Sequence, residues 1–317
     1  MRYLNLFIAL AIALLAGAAD CYSQTAPAYY KDAKELDKQN RPDKAIVSID
    51  KALALDSVNL DYLSAKASYL THLKKYEDAY SIYDRAIGLY PQKSFLYSNR
   101  GNLLLSLGYF DEAVSDFTTA IQLAESDSVR RYDLTNRGAA YIYKRAFKEA
   151  YTDLKAAYDM DSTDVAVLVN LGAVCDEVGR ENDVLKYLFK AVAIDPKDVG
   201  SYANIGFRYQ QLGQYKKSIE YYNKVLELKP DEPLGYSNRS YSKLKMGDKR
   251  GALADVNKSL ELYEANAYAY RTRALIYIDM KEMEKACADI NTALDNGFTT
   301  TYGDEVLKLQ ETYCGKK

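Results

Sequence analysis

One histidine, His72, is all the imidazole in this 317-residue chain. A metal site or general base built on imidazole therefore has no second ring to work with. Cys21, Cys175, Cys287 and Cys314 include no pair spaced two apart, and no phosphate-cradling glycine loop, dinucleotide fingerprint, acidic calcium loop or nucleophile elbow occurs. Carboxylates are plentiful, but they fall mostly on stretches that read as solvated helix faces. The expectation is a chain that is not an enzyme and that needs no metal and no cofactor, since a function must rest on a site. Binding chemistry is better represented. Asn99, Asn136, Asn170, Asn204 and Asn238 recur at nearly constant spacing. Each carboxamide holds a donor and an acceptor, so a row of them can pair with successive peptide groups of an extended ligand without reading its side chains.

The elements that must position these residues are long helices. Lys plus Arg total 42 against 44 for Asp plus Glu, a net charge of −2, and 48% of the residues are hydrophobic. That is a folded chain with no field to attract a polyanion, so nucleic acid is not an expected partner. Pro (6) and Gly (16) are few, while Tyr occurs 31 times and Trp never, which predicts helices with many aromatic contacts.

Residues 1–23 read as a secretory signal. Arg2 precedes an apolar stretch at 4–16 that is too short to span a bilayer, and Cys21-Tyr22-Ser23 offers small residues ahead of a cut before Gln24. A periplasmic or secreted location follows as an expectation. Membrane attachment would require lipidation at Cys21, where Asp20 stands in the place that the lipid-modification signal gives to a small residue.

A 34-residue period divides the chain into eight copies, at 26–59, 60–93, 94–127, 131–164, 165–198, 199–232, 233–266 and 267–300, with three extra residues at 128–130. Position eight is always small (Ala33, Ala67, Gly101, Gly138, Gly172, Gly206, Ser240, Ala274), and so are positions twenty and twenty-seven. Antiparallel helices approach closely only where side chains are short, so these positions mark the seam of a helical hairpin. Large apolar residues at positions four and twenty-four fill the space beside it. Gly108, Gly179, Gly213 and Gly247 at position fifteen mark a left-handed helix end, and Pro91, Pro196 and Pro230 close second helices.

This pattern, seen in Tyr202-Ala-Asn-Ile-Gly206, Tyr209, Gly213, Tyr215 and Tyr222 through Pro230, resembles the tetratricopeptide repeat family over residues 26–300. The resemblance implies an all-α fold, a right-handed α-α superhelix of eight helical hairpins at 24–300 plus a C-terminal capping helix and tail at 301–317. Copies one and five are the weakest matches, with Pro42 and Glu181 where an aromatic is usual. In that family the first helices line a concave groove. The five asparagines would lie there at position six, joined by Phe95, Tyr132, Tyr143, Phe207, Tyr241 and Tyr268 among the apolar candidates. The family's carboxylate-gripping pattern is not met by Tyr30, Lys34, Ala65, Phe95 and Asn99 in copies one to three. Arg100, Arg137, Arg239 and Arg273 recur at position seven, which points partly into the hairpin, and read mainly as snorkelling side chains or inter-helix partners.

The cap at 304–313 can place Val306, Leu309 and Tyr313 on one face. Position twenty-one, apolar in the earlier copies, is Cys287 in the last, and the cap ends in Cys314; export then predicts a Cys287–Cys314 disulfide. The expected function is an exported scaffold holding a partner protein or extended peptide in the groove. A glycan-binding module and a lipid-anchored assembly factor of the cell envelope are the alternatives, and the oligomeric state is left open.

Overall fold

The computed structural model describes residues 25–315, and all regular structure among them is helical. The signal segment, Cys21 and Gln24 lie outside the described residues. The chain forms two compact units, one reaching Met160 and the other beginning at Asp161. In the first unit the helices pair as Ala26–Lys38 with Pro42–Leu55, Leu60–His72 with Tyr76–Leu89, Ser94–Leu107 with Phe110–Leu123, and Asp127–Tyr143 with Phe147–Met160. In the second, Val165–Val174 pairs with Val184–Ile194, Val199–Gln211 with Tyr215–Leu228, Pro233–Lys245 with Lys249–Leu262, and Ala267–Asp279 with Met283–Asp295. Phe298–Tyr302 and the capping helix Glu305–Tyr313 follow.

Local chemistry sets the helix ends. The last residue of a copy caps the first helix of the next: the side chains of Asn59, Asp164, Asp198, Glu232 and Asn266 each accept a backbone N–H from the opening turn. Position fifteen is left-handed in every copy. Gly108, Gly179, Gly213 and Gly247 supply it as their residue type suggests, but Asn40, Lys74, Arg145 and Lys281 adopt the same positive φ, between 55° and 63°. The hairpin closure imposes that conformation even on side chains that disfavour it. The three extra residues at 128–130 are absorbed by the first helix of copy four, which starts at Asp127 behind the Ser126 cap and runs for 17 residues. Copy five departs most. Its first helix ends at Val174, a 3-10 turn follows at Asp176–Val178, and its second helix has only 11 residues. Glu181 stands there where Tyr76, Phe110, Phe147 and Tyr215 open the second helix of other copies, so no aromatic anchors that turn.

The seam is as tight as the small residues predict. A Cβ added to Gly172 would lie 2.6 Å from Leu188 Cδ2, one on Gly138 would lie 2.8 Å from Leu154 Cγ, and one on Gly101 would lie 2.9 Å from Phe117 Cε1. Position eight thus receives position twenty-four. Ile49, Phe117, Leu154, Leu188, Tyr222, Val256 and Ile290 are all buried there, at about 1.5–3 kcal/mol for each large side chain removed from water.

A second device joins the hairpins. Arg100, Arg137, Arg239 and Arg273 each make two parallel N–H donations to the Asp sixteen residues later, Asp116, Asp153, Asp255 and Asp289, at 2.7–2.8 Å. Their remaining Nη1 reaches back to the second helix of the preceding copy, at Asp84, Thr118, Asn223 and Asn257 respectively. Each guanidinium therefore ties three helices, a use that suits its planar fork. Copies five and six carry Leu171 with Tyr187 and Ile205 with Tyr221 at these two positions, so the charged clip is replaced as a unit.

Candidate binding surface

Within the second unit the first helices of neighbouring copies pack on one another, while each second helix meets the next copy through that copy's first helix. The first helices of copies three and four do the same in the first unit. We call the side formed by these first helices the inner face, after the groove that the family resemblance implies. Four of the aromatics expected there are open to water: Phe95, Tyr132, Tyr143 and Phe207 are between 38% and 65% exposed. Tyr132 accepts a hydrogen bond from Asn102 Nδ2 at 2.9 Å through its hydroxyl, which holds the ring edge in place. Tyr143 stacks on Phe110, ring centroids 5.1 Å apart, and remains largely exposed. Tyr241 and Tyr268 are half-buried, because both pack against Arg271.

The five asparagines do not share one environment. Asn99 is exposed, and Asn170 and Asn204 are half-buried. Asn238 Nδ2 donates to its own helix at Leu234 O, 2.9 Å away. Asn136 Nδ2 is enclosed without a partner. Position six thus leaves one open carboxamide in the first unit and two in the second. At 0.5–1.5 kcal/mol per net hydrogen bond they supply about 1 and about 2 kcal/mol, far below the roughly 8 kcal/mol of a micromolar complex. The aromatic side chains have to provide most of any affinity. Sequence spacing could not show this, since it places a side chain on a face but not its competition with the carbonyl four residues back.

Buried charge marks two further places. Asp133, on the first helix of copy four, is fully enclosed, and neither of its carboxylate oxygens is partnered. Burial pushes its carboxyl up to about 6, opposed only in part by the nearby Ser98 hydroxyl. Arg271, on the first helix of copy eight, is 6% exposed. Its guanidinium lies 4.8 Å from the Tyr241 ring centroid and 5.5 Å from that of Tyr268, and it forks onto the Glu305 carboxylate of the capping helix, with Nε to Oε2 at 3.1 Å. Burial pulls the Arg271 pKa down, but the hydrogen bonds to Glu305 and the flanking tyrosines more than restore it. The repeat pattern does not reveal this pairing, because Glu305 is 34 positions away, in the capping helix outside the repeats.

The cap itself is anchored by Val306 and by Phe298 from the short preceding helix, both fully buried against Ala267, Ala274, Ile290 and Ala293. Leu309 packs beside them, whereas Tyr313 stays exposed. Cys287 and Cys314 are bonded, with Cα atoms 5.7 Å apart. Cys175 is buried, and burial pushes its thiol up to about 11, which makes it inert core.

Family profiles described as tetratricopeptide repeat match residues 30–94, 96–127 and 199–232. The chain is a tetratricopeptide repeat protein. Its fold is similar to that of a tetratricopeptide repeat protein from Parabacteroides merdae ATCC 43184, with 20% identity, a TM-score of 0.66, and coverage of 80% of this chain and 98% of that one. It is also similar to a chain of the APC/C hetero-tetramer Cut9–Hcn1, with 18% identity, a TM-score of 0.66, and coverage of 87% and 54%. A MamA fragment from Desulfovibrio magneticus RS-1 has 16% identity, a TM-score of 0.50, and coverage of 55% and 96%. No curated protein matches the chain.

In this repeat protein one large cleft lies away from the inner face. It has a volume of about 770 Å³ and lies at the hairpin turns of copies two and three, lined by Lys74, Lys75, Glu77, Tyr80, Leu107 and Tyr109. Its charges are mixed and do not converge on a point. A smaller pocket of about 340 Å³ opens between the first helices of copies six and seven, beside Ala203, Leu234 and Asn238, with Tyr222 at its wall. Val225, Lys229 and Glu232 also line it, so it sits at the junction of copies six and seven rather than on the first helices alone. His72 is exposed, 3.5 Å from Asp37. Among the described residues no group of His, Cys, Asp and Glu could hold a metal ion, and no helix is long and apolar enough to cross a membrane.

Proposed function

We propose that this repeat protein is an exported, non-catalytic scaffold that binds a partner protein, as an extended peptide segment, on the inner face of its first helices. The reading is carried by the aromatic side chains left open there, Phe95, Tyr132 and Tyr143 in the first unit and Phe207 in the second. Phe117 and Tyr222 are by contrast buried in the hairpin seams, and Tyr80, Tyr109, Tyr263 and Tyr302 are exposed outside the set predicted for this face. Exposed aromatics on a face built from rigid helices offer contact area at little conformational entropy, and they lie beside the open carboxamides of Asn99, Asn170 and Asn204. Export is supported by the signal-like segment at 1–23 and by the Cys287–Cys314 bond, a linkage that persists in oxidising compartments. Crosslinking from a photoreactive residue at position 204, followed by identification of the captured peptide, tests the location. The Tyr132→Ala and Phe207→Ala variants should each weaken the captured complex about tenfold or more. Unchanged affinity in both would remove the inner face as the binding surface.

A further inference from the structure

Arg271 and Glu305 form an ion pair between the last repeat and the capping helix. Arg271 sits within the wall of the inner face, between Tyr241 and Tyr268, with almost no contact with water. Its counter-ion comes from the first residue of the capping helix, and the Glu305 side chain is 48% exposed. A buried guanidinium without an anion is strongly unfavourable, so this position needs a carboxylate from some source. Glu305 fills the requirement incompletely. It takes Nε and Nη2, while Arg271 Nη1 is buried with no acceptor. The Lys245 ammonium, 5.2 Å from the Tyr241 ring, adds positive charge at the rim.

We propose that Arg271 is a carboxylate-binding site on the inner face of copy eight, occupied in this structure by the chain's own Glu305 and available to an acidic residue of a bound peptide that displaces it. The inference rests on the inner face being the peptide-binding surface and names the chemistry recognised at one end of it. A planar guanidinium held between two rings presents a fixed fork that matches a carboxylate in two parallel hydrogen bonds and discriminates against a carboxamide. Displacement is opposed by tethering. The capping helix is fixed at its start by Val306 in the core and at its end by the Cys287–Cys314 bond, which keeps Glu305 at high effective concentration beside Arg271. Glu305 thus acts as an internal competitor, and its tether sets how acidic a partner must be to enter.

The test uses a rhodamine-labelled, end-capped Ala-Glu-Ala-Glu-Ala peptide and its Gln counterpart, with binding to the full chain read by fluorescence polarisation. Glu305→Gln keeps the side-chain volume at an exposed position and should bind the Glu peptide at least about tenfold more tightly than the parent does, the equivalent of one charge-assisted pair. It should also prefer that peptide to the Gln form. Adding Arg271→Gln to the Glu305→Gln chain should abolish the preference. Cys314→Ser, which leaves Glu305 in place and removes only the tether, should fall between the parent and Glu305→Gln. Equal binding by parent and Glu305→Gln, equal affinity for both peptides, or a preference that survives Arg271→Gln would each overturn the proposal. A free C-terminal carboxylate on the Gln peptide that restores tight binding would assign the site to chain ends rather than acidic side chains, with Arg271 still the receptor. Phe207→Ala separates the two readings: it should weaken the crosslinked partner and leave the Glu-over-Gln preference of Glu305→Gln intact.

Discussion

Replacing Asp133 with Asn isolates a single buried charge. No hydrogen bond of ordinary geometry reaches either carboxylate oxygen, and burial pushes the carboxyl up to about 6, against an ordinary value of 3.8, with the Ser98 hydroxyl opposing the rise only in part. A folded-state pKa above the unfolded one means that the folded chain holds more protons across that interval, so stability falls as pH rises through it. Below about pH 4 both states are protonated and the full stability is present; above about pH 6 the whole penalty applies. At about 1.4 kcal/mol per pKa unit, that penalty is at most about 3 kcal/mol. Asn keeps the shape and removes the charge, although its amide is itself poorly satisfied. Asp133→Asn should therefore be more stable than the parent by about 1–2 kcal/mol at about pH 7.5 and equal to it or slightly weaker at about pH 3.5. Urea unfolding followed by far-UV circular dichroism suits a chain without tryptophan. The parent-minus-variant difference cancels the other carboxylates as long as the m-values agree. A variant that is less stable at both pH values by the same amount would refute the reasoning and show that Asp133 is held by hydrogen bonds.

Two packing predictions use the same assay. Gly172→Ala should lower stability by about 1–2 kcal/mol despite the helix-propensity gain, since its Cβ would meet Leu188 at 2.6 Å, whereas Gly88→Ala, with nothing within 4 Å, should raise it by about 0.5–1 kcal/mol. Arg137→Met leaves Asp153 buried and unpaired and should cost about 3 kcal/mol, but adding Asp153→Leu should recover most of that loss. A double variant no better than the single one would mean that the clip holds the hairpins by geometry that no apolar pair can replace.

The repeat and the hairpin seam were legible in the amino acids because both are periodic: a small residue every 34 positions has one packing explanation, whichever copy is read. The clip was also present in the sequence, in the joint appearance of Arg at position seven and Asp at position twenty-three in copies three, four, seven and eight. It could have been read as a pair rather than as four separate arginines. Other features required the tertiary structure. Lys74 and Arg145 take a left-handed backbone that their residue type argues against, because closure of the hairpin outweighs local preference. Asn238 and Asn204 share a repeat position but not a state, since one is bound to its own helix and the other is not. Arg271 finds Glu305 only where the last repeat ends and a different element covers it. Contacts that repeat are encoded locally and many times over, whereas a contact made once, between a repeat and its cap, is decided by which surfaces the fold brings together.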